Sequence, residues 1–134
     1  MQPGFARFGI TGAQWAVLRH LHRAELEGQR ALRLTDLSER LLIRPPSVTG
    51  VVERLEQTRL VARDESATDQ RVKQITLTAR GRQLVERVLP VHAARIEAVM
   101  AALTSVEQGQ LQRLLHRLQD HLDGLLADGG PATE

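Results

Sequence analysis

Arg44, Ser47 and Thr49 fall within six residues around a Pro45-Pro46 pair, with Arg54 about one helical turn beyond Gly50. A guanidinium and two hydroxyls at the start of a helix are suited to hydrogen-bond phosphates and base edges, and first-turn N–H groups can add to the same site. Taken singly, Ser47 is equally an ordinary first-turn residue and Arg54 an ordinary solvated charge. Together they form the polar set that DNA contact requires. A second set follows at Asp69, Arg71 and Lys73. Alternation along a strand puts all three on one face. An arginine at the tip of a β-ribbon suits a narrow minor groove, where the potential is most negative. The Asp69 carboxylate can pair with Arg71 and hold it extended; the plainer reading is a surface ion pair worth little. Asp64 and Glu65 on the other limb would repel phosphate, so they are expected to point away.

Other chemistries find little support. The chain has no cysteine, which removes disulfides, thiolate metal sites, cysteine nucleophiles and thiol redox sensing. His20 and His22 are two residues apart on different helix faces, and His116 and His121, five apart, are poorly placed for one ion. No metal site or cofactor is implied. No Gly-rich phosphate loop, carboxylate–histidine pair or nucleophile motif appears, so an enzyme is the weakest reading.

The elements that must position these residues can be read from the spacing. Thr11 and Gln14 fit a capping box, and the pattern predicts a helix from Thr11 to Ala24. Glu27-Gly28-Gln29 breaks it, and residues 31–34 read as a short extended piece. A second helix starts at Thr35 and carries Leu37, Leu41 and Leu42. The Pro45-Pro46 corner ends it and opens a third, with Val48, Val51, Val52, Leu55 and Leu60 as its apolar stripe. Two short helices around a tight corner make a helix-turn-helix. Residues 60–63 and 72–77 then predict a two-stranded β-ribbon joined by a polar turn, which makes the unit winged. Thr78 can cap a long helix from Ala79 to about Leu103, kinked at Pro90. Thr104 with Glu107 is a second capping box, opening a last helix to about Leu126. The predicted fold is mainly α with a small β-wing: a winged helix-turn-helix flanked by long dimerisation helices. Its 134 residues suit a single domain, with residues 29–78 as the DNA-binding lobe, 1–28 and 79–126 as the helical dimerisation region and 127–134 as a flexible tail.

The net charge is only +2, but it is unevenly spread. Residues 30–87 carry twelve bases against eight acids, and residues 88–134 carry three against six. A basic middle before an acidic end fits a segment that meets a polyanion. Seventeen of the eighteen bases are arginine, so the high isoelectric point reflects base identity as much as excess. All three aromatics, Phe5, Phe8 and Trp15, lie in the first fifteen residues, which argues against a base-stacking platform for single strands. No export signal or membrane-length apolar run is seen, and a cytoplasmic protein is expected.

Several strings resemble the MarR family of bacterial regulators. They are Thr-Gly-Ala-Gln-Trp-Ala-Val-Leu (11–18), Asp-Leu-Ser-Glu-Arg-Leu (36–41), Ser-Val-Thr-Gly-Val-Val-Glu-Arg-Leu-Glu (47–56) and Asp-Gln-Arg-Val-Lys-Gln-Ile-Thr-Leu-Thr-Ala-Arg-Gly (69–81). The last is similar to the family's wing signature, an Asp-x-Arg followed by Leu-Thr-x-x-Gly. The resemblance implies a homodimeric repressor on pseudopalindromic double-stranded DNA, with recognition helices in major grooves and wing arginines in flanking minor grooves. By position it puts Ser47, Val48 and Thr49 in the major groove, Arg54 on the backbone, and Asp69 and Arg71 on the wing. Three positions depart from the family pattern. Gly50 stands where members often have Arg, removing a contact and weakening the helix. Arg59 stands where Gly usually serves as a left-handed cap. Only Met1 to Ile10 precede Thr11, where the family has a full helix, so a reduced interface or a shortened start is expected.

Leu111, Leu115, Leu118, Leu122 and Leu125 follow four-three spacing, a coiled-coil-like seam. Either the Ala79–Leu103 helix covers it or a second copy does; a shared intersubunit bundle is favoured, as the resemblance implies and because the bundle is too small to close alone. The resemblance also implies a small aromatic or phenolic effector, and Trp15, Arg19, His20 and His22 could line its crevice. A tryptophan there is more often a core residue. The competing function is a helical protein-interaction module whose winged helix no longer binds DNA; Gly50 and the acidic wing flank keep it open.

Overall fold

The computed structural model describes residues 3–41, 44–63 and 74–127 of the chain. It contains two compact units, Met1–His92 and Ala93–Glu134. The element order is α1 (Pro3–Ala6), α2 (Gly12–Leu26), β1 (Leu32–Arg33), α3 (Leu34–Leu41), α4 (Pro45–Gln57), β2 (Val61–Arg63), β3 (Gln74–Leu77), α5 (Ala79–Met100) and α6 (Ser105–Ala127).

The first unit is built on an aliphatic core. The α2 capping box forms as expected: the Gln14 N–H donates to Thr11 Oγ1 at 3.1 Å, and the Thr11 N–H donates back to Gln14 Oε1 at 2.9 Å. Val17, Leu18, Leu21 and Ala24 then bury one face of α2. Gly28 ends it at φ +91°, letting the Gln29 N–H reach back to the Ala24 carbonyl at 2.8 Å; a glycine adopts that left-handed turn without Cβ strain. Asp36 steadies the start of α3, accepting from both the backbone N–H and the guanidinium of Arg33. Val48, Val52 and Leu55, at helical spacing, are fully buried on α4.

The β-structure differs from the expected two-stranded ribbon. It is a three-stranded antiparallel sheet in the order β1-β3-β2, with Leu32 opposite Ile75 and Val61 opposite Leu77. The third strand is only two residues long, too short to show alternation. It forms because buried Leu32 pairs with the free edge of β3, far along the chain.

β3 leads into α5 through a compact joint. The Thr78 hydroxyl donates to the Arg59 carbonyl at 2.7 Å and accepts from the Gly81 N–H at 3.0 Å, while the Thr78 N–H donates to the Leu60 carbonyl. A Cβ on Gly81 would collide with the Leu60 backbone carbonyl. The glycine in the Leu-Thr-x-x-Gly string is therefore a close-approach residue. Leu84, Val85 and Val88 bury the first half of α5. The helix passes through exposed Pro90 and stops at Met100, short of the expected Leu103. Its last carbonyl is taken by the Leu103 N–H and by Gln108 Nε2, both at 2.9 Å.

In the second unit, Thr104 and Glu107 form the second capping box, with hydrogen bonds of 3.1 and 2.9 Å. α6 extends over 23 residues and buries none of them. Among the described residues, no helix is long and apolar enough to cross a membrane.

Candidate DNA-reading face and effector pocket

α4 presents two unlike faces. Val48 is fully buried and anchors the helix against the core, so it fixes α4 rather than facing outward. Arg44, Ser47, Gly50 and Arg54 are exposed on the other side, and Thr49 is half-buried. The N-terminus of α4 has fewer spare donors than its position promised. Pro45 and Pro46 carry no N–H, and the N–H groups of Ser47 and Val48 both donate to the Arg44 carbonyl, at 3.0 and 3.3 Å. The first-turn N–H groups expected to help hold phosphate are thus engaged with the Arg44 carbonyl, and the exposed polar groups at this end are the side chains of Arg44 and Ser47.

Asp69, Arg71 and Lys73 lie outside the described residues. The root of the wing is described, and a pair not expected from the sequence sits there. Arg63 on β2 donates to Glu56 on α4 at 3.0 Å, tying α4 to the ribbon. At the far end of α4, Arg59 takes φ +63°. The chain turns left-handed as the family's glycine would, and a side chain bears the strain.

The four residues named for an effector crevice separate into two groups. Trp15 is buried, with Phe5 stacked on it at 5.8 Å and His92 edge-on at 5.5 Å. Arg19 is half-buried close by. Burial, with the Arg19 charge second, pushes the His92 imidazole below its ordinary value. Trp15, Arg19, Phe5 and His92 thus share one locus. His20 turns back on its own helix, its ring Nδ1 2.9 Å from the Ala16 carbonyl. His22 is buried, and its Nδ1 finds no hydrogen-bond partner among the described residues. It faces Glu25, whose carboxyl is held below its usual range chiefly by a two-bond pair to Arg82, at 2.9 and 2.8 Å. Sequence reasoning missed Phe5 and His92 here. The signal for His92 was its place seven residues after Val85 on α5, on the face that packs toward α2.

The five seam leucines are all outward-facing, from 37% exposed at Leu111 to 55% at Leu115 and Leu118. Leu114, Leu126 and Val106 widen the apolar surface.

Comparison with known proteins agrees with this fold. A family model described as "MarR family" matches residues 8–72. The repressor MdtR of Bacillus subtilis is 33% identical over 118 residues, covering 88% of this chain and 73% of MdtR. The chain belongs to the MarR family. Among solved structures, S. aureus MepR bound to DNA superposes with a TM-score of 0.76 at 27% identity, covering 87% of this chain and 83% of MepR. NadR in complex with 4-hydroxyphenylacetate gives 0.70 at 32% identity, covering 87% and 79%. The chain is a winged-helix transcriptional regulator of the MarR type.

Proposed function

We propose that the chain acts as a homodimeric repressor that grips a pseudopalindromic operator and lets go when a small aromatic or phenolic anion binds. The observation that carries the DNA reading is the division of α4. Val48, Val52 and Leu55 lock one face into the core, so exposed Arg44, Ser47 and Arg54 are held on a rigid frame. Thr49 lies between them, and Asp69, Arg71 and Lys73 supply the wing contacts. MepR, of the same fold, has been seen on DNA.

The dimer reading rests on the seam from Leu111 to Leu125. Apolar side chains left this exposed along more than three turns of one helix favour a matching surface. For the effector, the Trp15–Arg19–His92 locus brings packed aromatic rings beside a cation, which suits an aromatic carboxylate. NadR binds such a compound. His20 and His22 contribute less directly, His22 as part of the packing behind the site.

Duplex binding measured at stepped salt tests the central reading. Affinity should fall steeply as salt rises, and Arg71→Ala should flatten the logarithmic slope by about one unit. Binding that is absent at low ionic strength would sink the DNA reading and favour a protein-interaction module instead.

A further inference from the structure

α5 has two flanks with different electrostatics. On one, Arg82 is neutralised by Glu25. On the other, Arg80 and Arg87 project seven residues apart, hence on one face and about 10 Å apart along the helix axis. Among the described residues neither forms an ion pair. Both border an open cleft of about 690 Å³ within the first unit, whose apolar walls include Phe8, Leu60 and Leu84 and whose one acid is Glu86. The Phe8 ring is itself flanked by cations. The Arg87 guanidinium lies 6.0 Å from its centroid and that of Arg7 5.4 Å. Trp15, Arg19 and His92 take no part in lining it.

We propose that this cleft binds an elongated organic dianion, with Arg80 and Arg87 holding its two charged ends and Leu84 and Phe8 supporting an apolar middle. Two unneutralised guanidiniums on one helix face repel each other, and a ligand carrying two anionic groups relieves both at once. A single small anion would satisfy one and leave the other exposed. The mixed lining between them, with Leu84 and Phe8 beside Gln83, favours an organic spacer over a short, fully hydrated dianion such as inorganic phosphate. Because Leu60 ends the turn after α4 and Arg80 opens α5, an occupant would brace the reading helix against α5.

The site does not depend on the effector reading at Trp15, and calorimetric titration of the full chain separates them. Nonanedioate should bind about tenfold or more tightly than nonanoate, which has the same carbon chain length and one charge fewer. Arg80→Ala and Arg87→Ala should each remove about tenfold of that affinity, and Arg87→Lys should restore most of it. Arg19→Ala should leave it unchanged. Thermal melts of the same variants check that the fold is intact. Equal affinity for the two acids, or dianion binding indifferent to both arginines, would overturn the proposal. So would variants that lose duplex affinity while keeping nonanedioate, which would assign the arginines to the DNA backbone.

Discussion

Gly81 stands where the first turn of α5 passes over the Leu60 carbonyl, and any side chain there must displace main chain rather than a flexible neighbour. Gly81→Ala is expected to destabilise the lobe by about 2 kcal/mol or more, read as a lowered denaturation midpoint with an unchanged slope. An unchanged midpoint would mean that the joint has slack. β3 ends at Leu77, directly before Leu60's partner Thr78; α4 ends at Gln57, and two residues beyond it Arg59 presents the opposite case. It holds a left-handed backbone with a side chain attached. Arg59→Gly should stabilise by about 1 kcal/mol, the relief of strain exceeding the added freedom of the unfolded chain. A loss of stability on that change would show that the arginine makes a compensating contact. These two positions explain why a family pattern carries glycine at both, and they put a physical cost on the departure from it.

At the scale of elements, α2 and α5 are joined by a charged contact at one end, Glu25 with Arg82, and a ring cluster at the other, Trp15 with Phe5 and His92. Both depend on pH, in the same direction. The Glu25 carboxyl is depressed by the guanidinium, so its stabilisation is complete above the ordinary carboxylate value and disappears as pH falls through the lower folded one. Asp36, depressed by Arg33, behaves alike. His92 is depressed by burial, so stability begins to decline as pH falls below about 6.5, where the unfolded imidazole takes up its proton first. Melting temperature should therefore drop on acidification in two stages. His92→Gln should flatten the nearer stage and Glu25→Gln part of the more acid one, with about 1 kcal/mol lost from the latter at neutral pH. Identical pH profiles for wild type and both variants would refute the assignment. The helices were legible because capping boxes and apolar stripes are local signals: Thr11 with Gln14, Thr104 with Glu107, and Val48 with Val52 and Leu55. The extended piece at 31–34 was legible as well, but its pairing with β3 and the His92 contact were not. Both depend on segments distant along the chain, and a two-residue strand or a lone histidine carries no period of its own. For the reading face, the residue types were legible, but the loss of first-turn donors to Pro45, Pro46 and the Arg44 carbonyl emerged only from the hydrogen bonds.

For the whole molecule, the proposed homodimer makes a direct demand on α6. Leu118→Asp places a charge in the middle of the exposed seam, without touching the core of the first unit. Sedimentation should show the mass shift toward a monomer while far-ultraviolet dichroism stays helical; an unaltered mass would exclude the seam from the interface. Since a twofold protein reads a twofold site, the monomeric variant should also lose most of its operator affinity through lost bivalency, with α4 intact. The ring cluster has a further consequence of a different kind. Trp15 is the chain's one tryptophan, and there is no tyrosine. It lies against His92 and Phe5 in the locus proposed for the effector. The protein thus contains a single tryptophan fluorophore at the place where its state is expected to change. Its emission would report effector occupancy and the protonation of His92 without any label.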